Sequence, residues 1–269
     1  MNIYIINLAN AHERAVFQEK QFSRLGLIFE RVNAVCIDDV GDEYYGRVAF
    51  DWERPLSRAE VSCYLSHKSL WQRVINENEP ALILEDDAYV CDDFPQLLND
   101  MSVMPVNYIN LETRGRKKVV SKNIEYDVCG YKFRHLYYGG TGAAAYLLWP
   151  EGARRLLAIE KRSGFALADA QICRTRMGGA LQVDCAAAIQ LDCCDRYQID
   201  PPHRTASALA KTRFDSEAVS RAKYVFKGRR LVAQLRLGFI QLRAVLGMAV
   251  RKEILPNPSK FSVGDFEKN

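Results

Sequence analysis

The stretch ALILEDDAYV, residues 81–90, runs four apolar residues straight into Glu85, Asp86 and Asp87, with no basic residue among them. A short continuous apolar run of this kind reads as a strand buried on both faces of a sheet. Desolvating even one ionised carboxylate is costly, so the three acids must face water, a cation, or both. In open parallel sheets, ligands bind beyond the carboxyl ends of the strands, where these acids sit. Carboxylate oxygens suit hard divalent cations such as Mg²⁺ and Mn²⁺, which keep open positions for substrate phosphates. Taken alone, the three residues fit a solvated turn, or the cap of a helix from Asp92, equally well.

The flanking sequence sets this strand in an α/β pattern. Upstream, Ser57 followed three residues later by Glu60 forms a capping box, and Val61, Tyr64, Leu65, Trp71, Val74 and Ile75 recur at helical spacing; a helix from Ser57 to just before Pro80 is predicted. NIYIINL (residues 2–8) reads as a strand ending near Asn7, followed by a helix with Ala15, Phe17, Phe22 and Leu25 on one face, and FERVNAV (29–35) as a second strand. Downstream, FPQLLNDM (94–101) is a short helix, VNYINLE (106–112) a strand, and PEGARRLLAIEK (150–161) a helix with Pro150 in its first turn. ALADAQICRTRM (166–177) forms a further helix entered at Asp169, whereas RGRKKVVSKN (114–123) reads as a polar hairpin or exposed loop. Strands and helices alternate at βαβ intervals, so the expected fold is α/β with a mostly parallel central sheet flanked by helices. IDPPHRTA (199–206) punctuates the chain, dividing it into a domain of residues 1–202 and a basic, partly helical extension of residues 203–269.

Composition limits the function classes. A chain of 269 residues with 48% apolar content can fill a large core. No window reaches the roughly 18 apolar residues of a spanning helix, and the chain opens on Ile3–Ile6 without a signal-peptide pattern, so a cytoplasmic protein is expected. The eight cysteines form no C-x-x-C pair, which leaves zinc and dithiol readings without spacing and predicts reduced, mostly buried thiols. The net charge of +4 is modest, and no nucleic-acid partner is expected. It is also uneven: residues 208–253 hold eleven Lys or Arg against three acids, a formal +8. Within them Leu231, Leu235, Phe239, Leu242 and Leu246 fall at helical spacing, which suits a basic amphipathic helix at an anionic membrane surface. Packing on the domain, or on a second copy in a homodimer, accounts for it as well, since Gly238 and Gly247 allow close helix contact.

Four stretches in this order, IYIINL (3–8), LSRAEVSCYLSHKSLWQRVI (56–75), NEPALILEDDAYV (78–90) and YYGGTGAAAYLLWPEGARRLL (137–157), closely resemble glycosyltransferase family 25, the bacterial lipooligosaccharide galactosyltransferases and their collagen-modifying relatives. The similarity covers roughly residues 2–190 and fades beyond. The resemblance implies a GT-A-like, Rossmann-type fold, a UDP-sugar donor, Mn²⁺ or Mg²⁺, and inversion at the anomeric carbon. It also implies a glycolipid acceptor, with galactose from UDP-galactose as the expected hexose, and a place at the cytoplasmic face of the inner membrane.

Carried onto this chain, the resemblance makes Asp87 the direct metal ligand, with Glu85 or Asp86 contacting the donor ribose or a metal-bound water and Glu85 also in reach of the metal. Asn7 and Arg14 match positions lining the nucleotide pocket, although an arginine early in a helix is as often an ordinary surface residue. Ser66, His67 and Lys68 match donor-site positions; their spacing alone suits a core-edge histidine and a solvated lysine. Gly140, Thr141 and Gly142 precede a strand instead of a helix, so they read as a close backbone approach to a sugar at the acceptor side, or as a plain tight turn, and not as a phosphate loop. Asp169 is the candidate catalytic base, and equally a helix cap; Asp184 and Asp192 are weaker candidates. The basic run from Arg114 would meet phosphates on a lipid-linked oligosaccharide or simply be solvated. Two other functions use similar residues: a Mg²⁺-dependent phosphohydrolase, which would need further ligands on other strands, and a non-catalytic sugar-nucleotide-binding protein on the same fold.

Overall fold

The computed structural model describes residues 1–139, 142–175, 179–202 and 223–262. The amino-terminal half follows the predicted alternation: β1 (Asn2–Asn7), α1 (His12–Arg24), β2 (Glu30–Asn33), α2 (Asp42–Val48), α3 (Arg58–Glu77) and β3 (Ala81–Glu85). Helix α3 starts where its capping box predicts, with the Ser57 hydroxyl accepting from the Glu60 amide at 3.2 Å and the Glu60 carboxylate accepting from the Ser57 amide at 2.8 Å. After Asp86 and Asp87 come β4 (Ala88–Val90), α4 (Phe94–Ser102), β5 (Tyr108–Asn110), β6 (Glu112–Thr113), β7 (Lys117–Ser121), β8 (Tyr126–Val128), β9 (Tyr131–Tyr138) and β10 (Ala145–Leu148). The remainder holds α5 (Pro150–Ser163), α6 (Ala168–Ile172), β11 (Ala180–Asp184), β12 (Ala188–Gln190), α7 (Lys223–Val245) and β13 (Ala249–Glu253).

Among the described residues the main sheet runs β2-β1-β3-β10-β5-β11-β9-β7-β13, with β8 paired to β9. β1 pairs parallel with both β2 and β3, and β5 parallel with β11; β10 pairs antiparallel with both β3 and β5, which therefore point the same way. Five strands (β2, β1, β3, β5 and β11) thus share one direction and bring their carboxyl ends to one edge, while the flank from β9 outward is antiparallel. Side chains alternate across β1 and β3: Ile3, Ile5, Leu82 and Leu84 pack with Phe17 and Phe22 of α1, whereas Tyr4, Ile6, Ala81 and Ile83 pack with Tyr64, Trp71 and Val74 of α3. Both faces of the sheet are covered, which explains why residues 81–84 read as an unbroken apolar run.

A second, three-stranded sheet of β4, β12 and β6 lies beyond that edge. Three segments cross from the main sheet into it: β3 through Asp86–Asp87, β5 through Leu111, and β11 through residues 185–187. VNYINLE, expected as one strand, is therefore two strands broken at Leu111, whose amide and carbonyl bond outside either ladder, to Ala145 O and to the Ala187 and Ala188 amides.

The basic run is a strand, not a loop. β7 pairs with β9 and β13, and Lys118 is buried with its ammonium held at 2.7–2.8 Å by Asn110 Oδ1, Gln182 Oε1 and the Glu112 carbonyl. Three neutral acceptors replace the water whose loss would otherwise forbid a buried lysine.

Beyond the expected boundary at residue 202 the described residues pack on the same sheet and core. β13 adds to the edge of the main sheet, Ile254 is fully buried, and Phe261 lies edge-on to Tyr89 at 5.3 Å within the core under α1. A polar stretch near Pro202 signals a turn in the chain, and cannot show that later residues return to the same core. α7 is anchored at its start by Phe226, which stacks on Phe50, and by Arg229 and Arg230, which donate to the carbonyls of Trp52 and Glu53. Leu231, Leu235, Phe239, Leu242 and Leu246 are all exposed. Cys91, Cys173 and Cys194 are buried, Cys129 is exposed, and all eight thiols are free.

Candidate active site

The carboxyl edge of the parallel strands gathers acids from three chain segments. Glu85 ends β3, Asp87 lies two residues on, and Glu112 opens β6. One side chain from the small sheet ties the first two together: Gln190 of β12 donates to Glu85 Oε2 at 3.3 Å and to the Asp87 carboxylate at 3.4 Å. Burial, then the neighbouring charges of Glu85 and Asp86, push the Asp87 carboxyl up to about 7. Burial pushes Glu112 up to about 8, with the charge of Lys118 opposing and those of Glu85 and Asp87 adding. Glu112 Oε1 accepts from the Ala144 amide at 3.0 Å, but its Oε2 is buried without a hydrogen-bond partner, as is Gln190 Oε1.

Asp86 belongs to a different arrangement. Its oxygens accept from Asn7 Nδ2 at 2.8 Å and Arg14 Nη1 at 3.0 Å, and Gln18 of α1 holds its carbonyl at 3.0 Å. Asn7, Arg14 and Asp86 thus come together as predicted residues, and together they hold the turn that carries Asp87. This alternation, Glu85 and Asp87 inward and Asp86 back toward α1, follows from the two-residue period at the end of a strand.

His67 is buried beneath Glu85. Trp71 Nε1 donates to the Tyr146 hydroxyl at 2.9 Å, that hydroxyl lies 2.9 Å from His67 Nδ1, and His67 Nε2 lies 3.2 Å from Glu85 Oε1. A single proton direction satisfies the chain: Trp71 to Tyr146, Tyr146 to His67, and His67 Nε2–H to Glu85. Cys63, His67 and Glu85 offer ligand atoms within 4.8 Å of one another. As a metal centre this trio is poorly disposed, because both imidazole nitrogens are already engaged and burial with the nearby carboxylates drives the Cys63 thiol away from thiolate. The oxygens of Glu85 and Asp87, joined through Gln190, are the hard donors that Mg²⁺ or Mn²⁺ prefers; Glu112 feels the charge of both, but the three acids do not bring their oxygens within 4.8 Å of one another.

Ser66 and Lys68 are not brought to these acids. Ser66 accepts from the Val35 amide and donates to the Ser62 carbonyl, tying α3 to the segment after β2; Lys68 pairs with Glu160 of α5 at 2.6 Å, whose other oxygen accepts from Tyr64. Asp169 is the second residue of α6, with Leu167 in the capping position, and its Oδ1 accepts from the Ala170 amide in the first turn at 2.6 Å. Burial raises its pKa, the Ala170 amide opposes the rise, Glu85 adds to it and Arg114 and Arg116 oppose it, which places its charge within reach of the carboxylate group. Of the other acids considered, Asp184 is paired with Arg134 and Lys252 and Asp192 with Arg114. Gly142 has φ +111, and a Cβ there would run into the Glu112 carboxylate, so glycine is required for this acid to sit where it does. Gly140 and Thr141 lie outside the described residues.

The sequence reading missed Glu112 and Gln190. Glu112 ends the run VNYINLE as Glu85 ends ALILE, so an acid closing an apolar strand was the available signal; Gln190 carried none.

The family model Glycosyltransferase family 25 (LPS biosynthesis protein) matches residues 1–171. A Glycosyltransferase 25 family member of Anopheles gambiae is 34% identical over 96 residues, 32% of this chain and 16% of that protein. Procollagen galactosyltransferase 1-B of Xenopus laevis is 27% identical over 179 residues, 59% of this chain and 28% of that protein. Lacto-N-neotetraose biosynthesis glycosyltransferase LgtB of Neisseria meningitidis serogroup B is 24% identical over 167 residues, 58% of this chain and 61% of that protein. The chain spans less than a third of the two animal relatives and about three-fifths of the bacterial one. With the matching model covering most of its length, the chain belongs to glycosyltransferase family 25.

Proposed function

We propose that the chain transfers a hexose from a UDP-sugar, galactose being the leading choice, to a lipooligosaccharide-type glycan, with inversion at the anomeric carbon. The observation that carries this reading is the convergence of Glu85, Asp87 and Glu112 at the carboxyl edge of the parallel strands, with one buried oxygen left unpaired. Family membership and the names of the bacterial and collagen-modifying relatives support the choice of reaction.

In this reading Mn²⁺ or Mg²⁺, held in a GT-A-like donor site by Glu85 and Asp87 with Glu112 alongside, would supply positive charge for the departing diphosphate. The protein's own residues do the rest. His67 and Gln190 fix the Glu85 carboxylate, and Asn7 and Arg14 hold the turn that aims Asp87. Asp169 takes the proton of the acceptor hydroxyl as its oxygen bonds to the anomeric carbon, while the bond from that carbon to the phosphate oxygen breaks and its electron pair leaves with UDP. Partial burial, which raises the Asp169 pKa, makes it a better proton acceptor than an exposed aspartate.

Among the described residues no helix is long and apolar enough to cross a membrane. The exposed apolar row of α7, together with the basic residues of the segment, supports a seat on an anionic membrane surface near a lipid-linked acceptor, with a homodimer contact as the other use of that face. The decisive experiment is a panel of UDP-sugars with Mn²⁺, measuring UDP release with and without deacylated lipooligosaccharide and identifying the product. A carboxylate on a second strand would serve a phosphohydrolase too, and release of inorganic phosphate in place of a glycoside would favour that chemistry and end the transferase reading.

A further inference from the structure

A cleft of about 310 Å³ opens between β7, the end of β9, α7 and β13. Arg116, Lys117 and Arg251 line it, with Tyr138, Gly139 and Leu237 among the remaining walls and no acidic residue on its lining. Among the described residues none of the three cationic groups makes a side-chain ion pair or hydrogen bond, although Lys117 stands opposite Glu253 across the β7–β13 ladder and its charge is felt there. Three like charges gathered on one concave surface repel one another, and such a cluster is relieved by a multiply charged anion. Two guanidinium groups favour an oxyanion that accepts paired hydrogen bonds, and the tyrosine and leucine walls suit the apolar face of a sugar ring.

The cleft adjoins the carboxylate site. Gly139 forms part of its wall and Gly142 backs Glu112, so at most about 11 Å of chain separates the two Cα positions. The charge of Arg116 is also felt at Asp169. Three of its walls, Leu237, Gln241 and Arg251, come from the carboxy-terminal segment that lies beyond the matched residues 1–171.

We propose that this cleft is the acceptor subsite and that Arg116, Lys117 and Arg251 recognise a phosphate carried by the acceptor glycan, one or two sugar residues from the hydroxyl that is glycosylated. The inference rests on the transferase reading and adds the acceptor's chemical class to it. The test uses the full chain and its Arg116→Gln/Arg251→Gln variant, with deacylated, phosphate-bearing lipooligosaccharide and the same saccharide after removal of its phosphates. The variant should raise KM for the phosphorylated acceptor at least tenfold, leave KM for the dephosphorylated one unchanged, and leave donor KM and acceptor-free UDP release at wild-type values. Equal KM for both acceptors in the wild-type protein, or the same change on both in the variant, overturns the proposal while leaving the transferase reading intact. Absence of UDP release from any UDP-sugar would instead sink the transferase reading. The cleft is then decided by ³¹P NMR titration of inorganic phosphate with the donor site filled by UDP: line broadening lost in the variant supports a phosphate site, and identical titrations reject it.

Discussion

Substituting Asp87 by Asn should stabilise the metal-free protein while abolishing transfer. In the folded state the Asp87 carboxyl is pushed from 3.8 to about 7, chiefly by burial and then by Glu85 and Asp86, with Glu112 also facing it and Arg14 and Gln190 opposing the rise. A carboxyl whose folded pKa is raised costs nothing below pH 3.8, where both states hold the proton. The cost grows as pH rises toward 7, because the unfolded chain has released its proton and the folded one has not, and it is complete above that value. A rise from 3.8 to about 7 corresponds to about 4 kcal/mol at 1.36 kcal/mol per pKa unit. Allowing the neighbouring acids to relax, Asp87→Asn should gain on the order of 2–4 kcal/mol at pH 8 and about half of that at pH 5.5. For a chain of this size the gain at pH 8 corresponds to roughly 5–15 °C in Tm. The assay is thermal and urea denaturation in EDTA at both pH values, repeated with Mn²⁺. Added Mn²⁺ should close the gap, since only the wild-type protein gains from binding it, by about 2.7 kcal/mol at a hundred times Kd, and should reverse the order near a thousand times Kd, where the gain is about 4.1 kcal/mol. A variant that is less stable than wild type in EDTA, or a gain that does not grow with pH, would refute the account of this site as mutually repelling carboxylates awaiting a cation.

Asp169→Asn should lower turnover by about two to four orders of magnitude with donor KM and UDP affinity preserved, because a base acts in the transition state; steady-state kinetics with varied donor and acceptor measure the split, and unaltered turnover moves the base elsewhere. Phe261→Ala should cost about 3–5 kcal/mol in urea denaturation, and truncation after Ser207 should leave a chain that does not fold cooperatively, since it removes β13 and Phe261 together; a stable, cooperative truncated protein would show that residues 249–262 are an appendage. The full-length protein should co-sediment with anionic vesicles at low ionic strength, less so in high salt, and Leu235→Glu/Phe239→Glu should abolish this without changing Tm, because both side chains are exposed. Vesicle binding that survives the double substitution would place the contact elsewhere, and a concentration-dependent mass increase lost in the same variant would assign the row to a dimer.

Much of the fold is written in local patterns. The unbroken apolar run of residues 81–84, the capping box at Ser57 and Glu60, and the helical recurrence from Val61 to Ile75 each depend on residues a few positions apart, so β1, β2, β3, α1, α3 and α5 were legible in order and direction. The same locality exposed Glu85, Asp86 and Asp87 as acids that end a buried strand. It could not tell which way each pointed, although the strand period already separates Asp86 from its two neighbours.

What the sequence by itself did not determine depends on contacts between distant segments. Lys118 reads as solvent-facing until Asn110, Gln182 and the Glu112 carbonyl surround its ammonium. Lys68, beside His67 in sequence, is drawn to Glu160 92 residues away, while His67 turns inward to Tyr146 and Glu85. Glu112 and Gln190 join the site only because β5 and β11 leave the main sheet at the same edge as β3 and continue into the small one. The carboxy-terminal strand closes on β7 through backbone hydrogen bonds, which any sequence can make and which therefore leave no mark in composition. Hydrophobic periodicity reports the environment of one element at a time; whether a polar side chain is solvated, paired or gathered into a site is decided by partners that only the folded chain brings within about 3 Å.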